Sequence, residues 1–150
     1  MKNEMTLIFD AVSENEAFAR NAVAAFCVTL DPTVDQINDI KTAVSEAVTN
    51  CIVHAYASTQ SQNDRVTINT KIDGESVHIV VSDTGVGIAD IEKAMQPFYT
   101  TGADRERSGM GFTVMESFMD DLKVENNSPT GTIVSMTKTI RGADWKKKKP

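Results

Sequence analysis

Hydrophobic and polar positions along this chain change period several times, and each change marks an element. MTLIFDAV (residues 5–12) alternates loosely and predicts a strand. SENEAFARNAVAAFCVTL then predicts a helix to about Leu30, with Ser13 and Glu16 spaced as a capping box. Asp31-Pro32 breaks the pattern, and a long helix is predicted from about Thr33 to Ala57. In it Val44, Ala47, Val48, Cys51, Ile52 and Ala55 keep the i, i+3, i+4, i+7 rhythm of a buried stripe. After the polar loop STQSQND, RVTINTKI and SVHIVVSD predict two strands joined at Asp73-Gly74, a hairpin signal. A short helix near Ile88–Ala94 and the irregular stretch QPFYTTGADRERSGMG come next. FTVMESFMDDL then predicts a helix, LKVENN a strand, SPTG a turn and TIVSMTKTI a last strand.

Helices and strands are segregated along this order, and two hairpins require antiparallel pairs. The expected fold is α+β: a two-layer α/β sandwich with a mixed, mostly antiparallel sheet and helices on one face. The two long helices precede the hairpins, so the pattern is not a doubly wound βαβ one. There is no internal repeat and no linker, which gives one domain over residues 1–141 and a flexible basic tail over 142–150.

The long helix carries a second row. Glu46, Asn50 and His54 stand four residues apart, and at roughly 100° per residue each step of four turns only about 40°. A polar strip opposite a core stripe is usually a solvated face. Two details speak against that here. No Lys or Arg stands four residues after Glu46 to pair with it. Asn, Thr and His are also mediocre helix formers, which a plain surface would avoid.

Charge narrows the classes. The 150 residues carry a net charge of −6, and four of the 15 basic residues are the terminal run Lys146 to Lys149. Without that run 11 basic residues face 21 acidic ones, a net −10 and a poor nucleic-acid binder. The run reads as a solvated tail. No segment approaches the ~20 apolar residues that span a bilayer. The first residues lack a signal peptide's apolar stretch, so a cytoplasmic location is expected. Cys27 and Cys51 fall on apolar helix faces and read as core residues.

Chemistry gathers at glycine. SVHIVVSD ends on Asp83 and runs into TGVGI, where Gly85 and Gly87 permit a sharp turn and close approach to a ligand. Alone this is a plain turn. It has neither the third glycine of a dinucleotide fingerprint nor the Gly-Lys-Ser/Thr of a phosphate loop. A second pair, Gly109 and Gly111 in SGMGF, opens a helix whose free N–H groups suit phosphate. Arg105 and Arg107 precede it, and Pro129-Thr130-Gly131-Thr132 starts the last strand.

EAVTN, DTGVGI, SGMGF and GT, in that order, resemble the Bergerat-type ATP-binding fold shared by DNA gyrase, Hsp90, histidine kinases and MutL. EAVTNCIVHAY, with Glu four before Asn and its HAY ending, is similar to the anti-sigma serine kinases. SGMGFTVMESFMDDL and PFYTT resemble the anti-sigma F family of spore-forming bacilli. The resemblance covers residues 3 to about 141 and leaves out ADWKKKKP.

It implies a homodimeric serine protein kinase using Mg-ATP, whose nucleotide state, ATP or ADP, decides which partner it grips. Such a protein holds the sporulation sigma factor F inactive and phosphorylates a serine of the anti-anti-sigma factor. Asn50 would bind Mg²⁺, for which a neutral amide oxygen is suited, and Glu46 would be the general base. Asp83 would read adenine with Thr132 supporting it. Gly85, Gly87 and Ile88, with Val86, would wrap the base. Gly109 and Gly111 would belong to the lid, with Arg105 and Arg107 as phosphate or partner contacts. His54 either lines the rim or is a packed histidine. Two other readings stand beside this one. A detached histidine-kinase catalytic domain is opposed by HAY and the missing histidine helix. A binding module without kinase activity is opposed by Glu46.

Overall fold

The computed structural model describes residues 1–57, 63–97 and 111–142. The strands are β1 (Lys2–Asp10), β2 (Arg65–Asp73), β3 (Ser76–Ser82), β4 (Asp121–Asn126) and β5 (Thr132–Thr139). They form one sheet in the order β1-β2-β3-β5-β4, and every pairing in it is antiparallel. The α-helices are α1 (Glu14–Cys27), α2 (Val34–Asn50), α3 (Ile91–Ala94) and α4 (Gly111–Phe118). The α+β class and the helix-covered sheet expected above are what the structure has.

The period of two decides which face of the sheet is covered. Val66, Ile68, Thr70 and Ile72 on β2 share a face with Val77, Ile79 and Val81 on β3 and with Val134 and Met136 on β5. Against this face lie the apolar stripes of α1 (Ala19, Val23, Cys27) and α2 (Ile40, Ala43, Val44, Ala47, Val48), and Met115 of α4. The opposite face is polar, with Asn69, Lys71, His78 and Thr137 on it. Asp73 and Ser76 pair around Gly74 and Glu75, the hairpin that Asp73-Gly74 signalled.

Two helix starts differ from expectation. Ser13 lies in helical φ/ψ and makes no side-chain cap. Its supposed partner Glu16 is drawn away: it takes Arg20 at 2.7 Å and the hydroxyl of Ser45 on α2. The completed capping box is at Thr33, whose hydroxyl accepts from Gln36 N while Gln36 Oε1 accepts from Thr33 N. Two helix ends also differ. The predicted helix over FTVMESFMDDL stops at Phe118, because Asp120 joins the sheet edge instead. Its N–H donates to Thr137 O, and its carboxylate accepts from Thr139 N at 2.6 Å. The long helix leaves α geometry after Asn50 and finishes as a π-turn, Cys51–Ala55.

Thr33→Ala should therefore lower the unfolding free energy by about 1 kcal/mol, whereas Ser13→Ala should change it by less than ~0.5 kcal/mol. Urea denaturation of the two variants checks the contrast.

Candidate functional site

Asp83 leaves β3 into the core-facing side of a turn and is 4% exposed. Its Oδ1 accepts two backbone N–H groups, from Gly85 at 3.0 Å and from Thr132 at 3.2 Å. Its backbone is engaged as well: Asp83 N donates to Thr132 O, and Asp83 O accepts from Asn127 Nδ2 at 2.9 Å. The thiol of Cys51, on the π-turn, hydrogen-bonds to the carboxylate. Desolvation dominates and pushes the Asp83 carboxyl above its ordinary value of 3.8, against the pull of these hydrogen bonds. The Cys51 thiol is pushed up in turn, by burial first and then by the Asp83 charge.

Close backbone approach explains two of the glycines. A Cβ at Gly85 would stand 2.2 Å from Ala55 O, and one at Gly131 would stand 2.1 Å from Asp83 O. The first contact seats the π-turn on the glycine turn, where Val86 N also donates to Ala55 O. The second brings the start of β5 against the end of β3. Gly87 sits over Gly131 O and Asn126 Oδ1, and Ile88 N donates to the same Asn126 oxygen at 3.1 Å. Ile88 packs on the rim of the core, while Val86 is 63% exposed.

At the other end of the site, α2 presents Glu46 and Asn50 to the start of α4. A Cβ at Gly111 would lie 3.3 Å from both Asn50 Nδ2 and Glu46 Oε2. An amide and a carboxylate thus meet backbone at a helix N-terminus, where anionic groups are favoured. Glu46 is also one wall of a cleft of ≈ 280 Å³ between α1 and α2, lined by Arg20, Asn38, Lys41, Thr42 and Ser45.

The structure thus brings Glu46, Asn50 and Gly111 to one place, and Asp83, Gly85, Gly87, Ile88 and Thr132 to another. Cys51, next to Asn50 in the chain, touches Asp83. His54 lies on the π-turn Cys51–Ala55 and is half-buried. Arg105, Arg107, Gly109, most of PFYTT and the lysine run lie outside the described residues.

Several residues here carried no role in the sequence reading. Tyr56, the last letter of HAY, is 4% exposed. Its hydroxyl donates to Arg65 O at 2.7 Å and accepts from Thr84 N at 2.9 Å, so it pins the turn after Asp83. Asn126 and Asn127 do the same from the end of β4, and Thr130 Oγ1 donates to Thr84 O. The asparagine pair sat in what read as a strand end, and only the aromatic hydroxyl of HAY, which must find a partner when buried, carried a signal. Thr132 acts here through its backbone N–H.

The described residues include no group of three or more His, Cys, Asp or Glu able to hold a metal by themselves, and no helix long and apolar enough to cross a membrane.

Comparisons with known proteins agree with the fold. A family model described as a histidine kinase-like ATPase domain matches residues 9–138. An anti-sigma F factor of Thermoanaerobacter sp. (strain X514) is 56% identical over 142 residues, covering 95% of this chain and 96% of that protein. One from Bacillus licheniformis is 50% identical over 140 residues, with 93% and 94% covered. Among solved structures, the RsbU and RsbW domains of a Mycobacterium tuberculosis protein share the fold with a TM-score of 0.65 at 17% identity, over 92% of this chain and 32% of that one. The catalytic domain of histidine kinase ThkA does so with a TM-score of 0.57 at 15% identity, over 91% and 96%.

Asp83 generates a pH-dependent prediction. Its carboxyl titrates higher in the folded protein than in the unfolded chain, near 3.8. Between the two values the folded protein keeps a proton that the unfolded chain has lost, so this group's share of stability falls as pH rises through that window. Asp83→Asn keeps an acceptor oxygen and has no such titration. At pH 7 it should unfold at higher urea than the parent, and the gap should close below pH 3.8.

Proposed function

Because the chain belongs to the histidine kinase-like ATPase domain family, and within it to the anti-sigma F factors, we propose that it is an anti-sigma factor and a serine protein kinase. In this reading it grips and silences sigma factor F, and phosphorylates a serine of the anti-anti-sigma factor with Mg-ATP. The observation that carries it is the end of α2. Glu46 and Asn50 face the start of α4, and one residue later the same helix end touches the buried Asp83. An adenine reader and a phosphate end joined by one helix terminus suit a nucleotide lying between them.

The residues fit that nucleotide. Asp83, desolvated and held by two N–H groups, presents an acceptor to the adenine amino group, and Thr132 supports it through its backbone. Gly85 and Gly87 keep the turn thin enough for a base to lie against it, with Val86 and Ile88 as apolar lining. Asn50 offers Mg²⁺ one amide oxygen, so the other ligands would be phosphate and water, as is usual for this ion. When bound, Mg-ATP supplies the phosphoryl group. Glu46 holds the proton of the acceptor hydroxyl, which reaches it through the cleft between α1 and α2. Gly111 contributes backbone N–H at the phosphate end, and Gly109 and Arg105 extend that end as the lid.

The same reading treats residues 1–141 as the working domain, located in the cytoplasm, and the chain as a homodimer. β1 is an edge strand, with Ile8 68% exposed on it, and an edge can pair with its symmetry mate.

Base, metal and adenine roles separate in one series. Glu46→Gln should bind ATP nearly as the parent does and slow phosphotransfer by ~10²–10⁴-fold. Asn50→Ala should lose Mg-dependent retention of ATP. Asp83→Asn should lose about 1–3 kcal/mol of ATP affinity. Parent-rate transfer of phosphate to serine by Glu46→Gln, or an acid-labile product, overturns the kinase reading. For the partner claim, sigma factor F should be pulled down more tightly with ATP than with ADP by a chain that sediments as a dimer. Equal capture in both nucleotides, or a monomer at micromolar concentration, counts against it.

A further inference from the structure

Lys138 is an anomaly of the sheet. It lies on the covered face of β5, between Met136 and Ile140, and is only 8% exposed. Its ammonium donates to Phe118 O, at the end of α4, at 2.7 Å and pairs with Asp39 Oδ2 on α2 at 3.2 Å. A buried ammonium is costly unless paired and hydrogen-bonded, and an apolar residue would fill this place in a core of Met136, Ile140 and Met115 without that cost. What the lysine does that an apolar residue cannot is hold a helix end. The last carbonyls of a helix lack intrahelical partners and attract cations.

That helix is the one that reaches the site. α4 begins with Gly111 against Glu46 and Asn50 and ends with Phe118 against Lys138 and Asp39. Asp39, Glu46 and Asn50 sit at i, i+7 and i+11 on α2, one face of that helix, so α4 runs antiparallel along it. Its far end is tied by a charge-assisted bond, which is both stronger and more directional than a neutral one. Met119 N, donating to Met115 O, carries the helical pattern to the tether point.

We propose that Lys138, with Asp39, is a positioning residue for the phosphate end of the nucleotide site: by fixing the C-terminal end of α4 it sets where Gly111 stands against Glu46 and Asn50. This rests on the nucleotide reading above. The tether acts on one end of the ligand only. The adenine side is built from β3, β5 and the π-turn, through Asp83, Gly85 and Thr132, and α4 supplies none of its hydrogen bonds.

The test compares ATP with adenosine, which carries the base and no phosphate, by titration calorimetry on the full chain. Lys138→Met should weaken ATP binding on the order of tenfold, an ordinary coupling between separated sites, and leave adenosine binding unchanged. Amides of α4 should exchange hydrogen faster in the variant while those of β2 and β3 do not. Asp39→Asn keeps the bond to Phe118 O and should shift ATP in the same direction by less; it carries the comparison if Lys138→Met does not fold. Equal losses for ATP and adenosine mean a general structural role and overturn the proposal, as does an unchanged ATP affinity. Failure of the parent chain itself to bind either ligand strikes the nucleotide reading instead.

Discussion

A single buried carboxylate organises the functional half of this molecule. Asp83 collects backbone N–H groups from Gly85 and Thr132 and the thiol of Cys51, so two segments distant in sequence have to arrive together at the turn that follows it. An ionised carboxylate out of water costs several kcal/mol unless such donors surround it. The donors are mostly backbone, which no side-chain substitution elsewhere can replace. The glycines follow from that demand: Gly131 can approach Asp83 O, and Gly85 can approach Ala55 O, only without a Cβ. The upward shift of its carboxyl shows that desolvation outweighs these donors.

The fold was legible where period and burial coincide. β2 and β3 alternate so regularly that their covered face could be read from Val66, Ile68, Val77 and Ile79 alone. The pair Glu46 and Asn50 was legible because the α-helix is regular up to Asn50. His54 falls past Asn50 on a π-turn that nothing in CIVHA announces. Ser13 misled because Glu16 had a better offer from Arg20 and Ser45, the latter 29 residues away. Tyr56, Asn126 and Asn127 act on backbone atoms of remote segments, and Lys138 on a helix end. Sequence spacing holds no record of such contacts. Gly109, Arg105 and Arg107 came from motif and composition only and fall outside the described residues.

The helix layer joins the two clusters of candidate site residues. α2 is common to the two ends: its face toward α4 carries Glu46 and Asn50, and its π-turn carries Cys51 and Ala55 to Asp83 and Gly85. The π-turn carries the chain from the end of α2 to the glycine turn, where Val86 N donates to Ala55 O. Such turns are frequent at functional sites. α4 is tied at one end to the same helix through Asp39 and Lys138, so the helices frame Glu46 and Asn50 while the sheet frames Asp83.

The pairing of β1 with β2 has a consequence for synthesis on the ribosome. Phe9 meets Val66 in the finished sheet, so the first strand made must wait while about 60 residues, including both long helices, are added. At roughly 5–20 residues per second this is a delay of about 3–12 seconds. During it a β-prone stretch, Met5 to Phe9, has no sheet to join. Lys2, Glu4 and Asp10, which flank that stretch, place charge at both of its ends. Charges in such positions disfavour pairing between nascent chains. Two of these residues later find partners across the ladder, Glu4 with Lys71 and Asp10 with Arg65. They guard the strand while it is alone and close its register when β2 arrives.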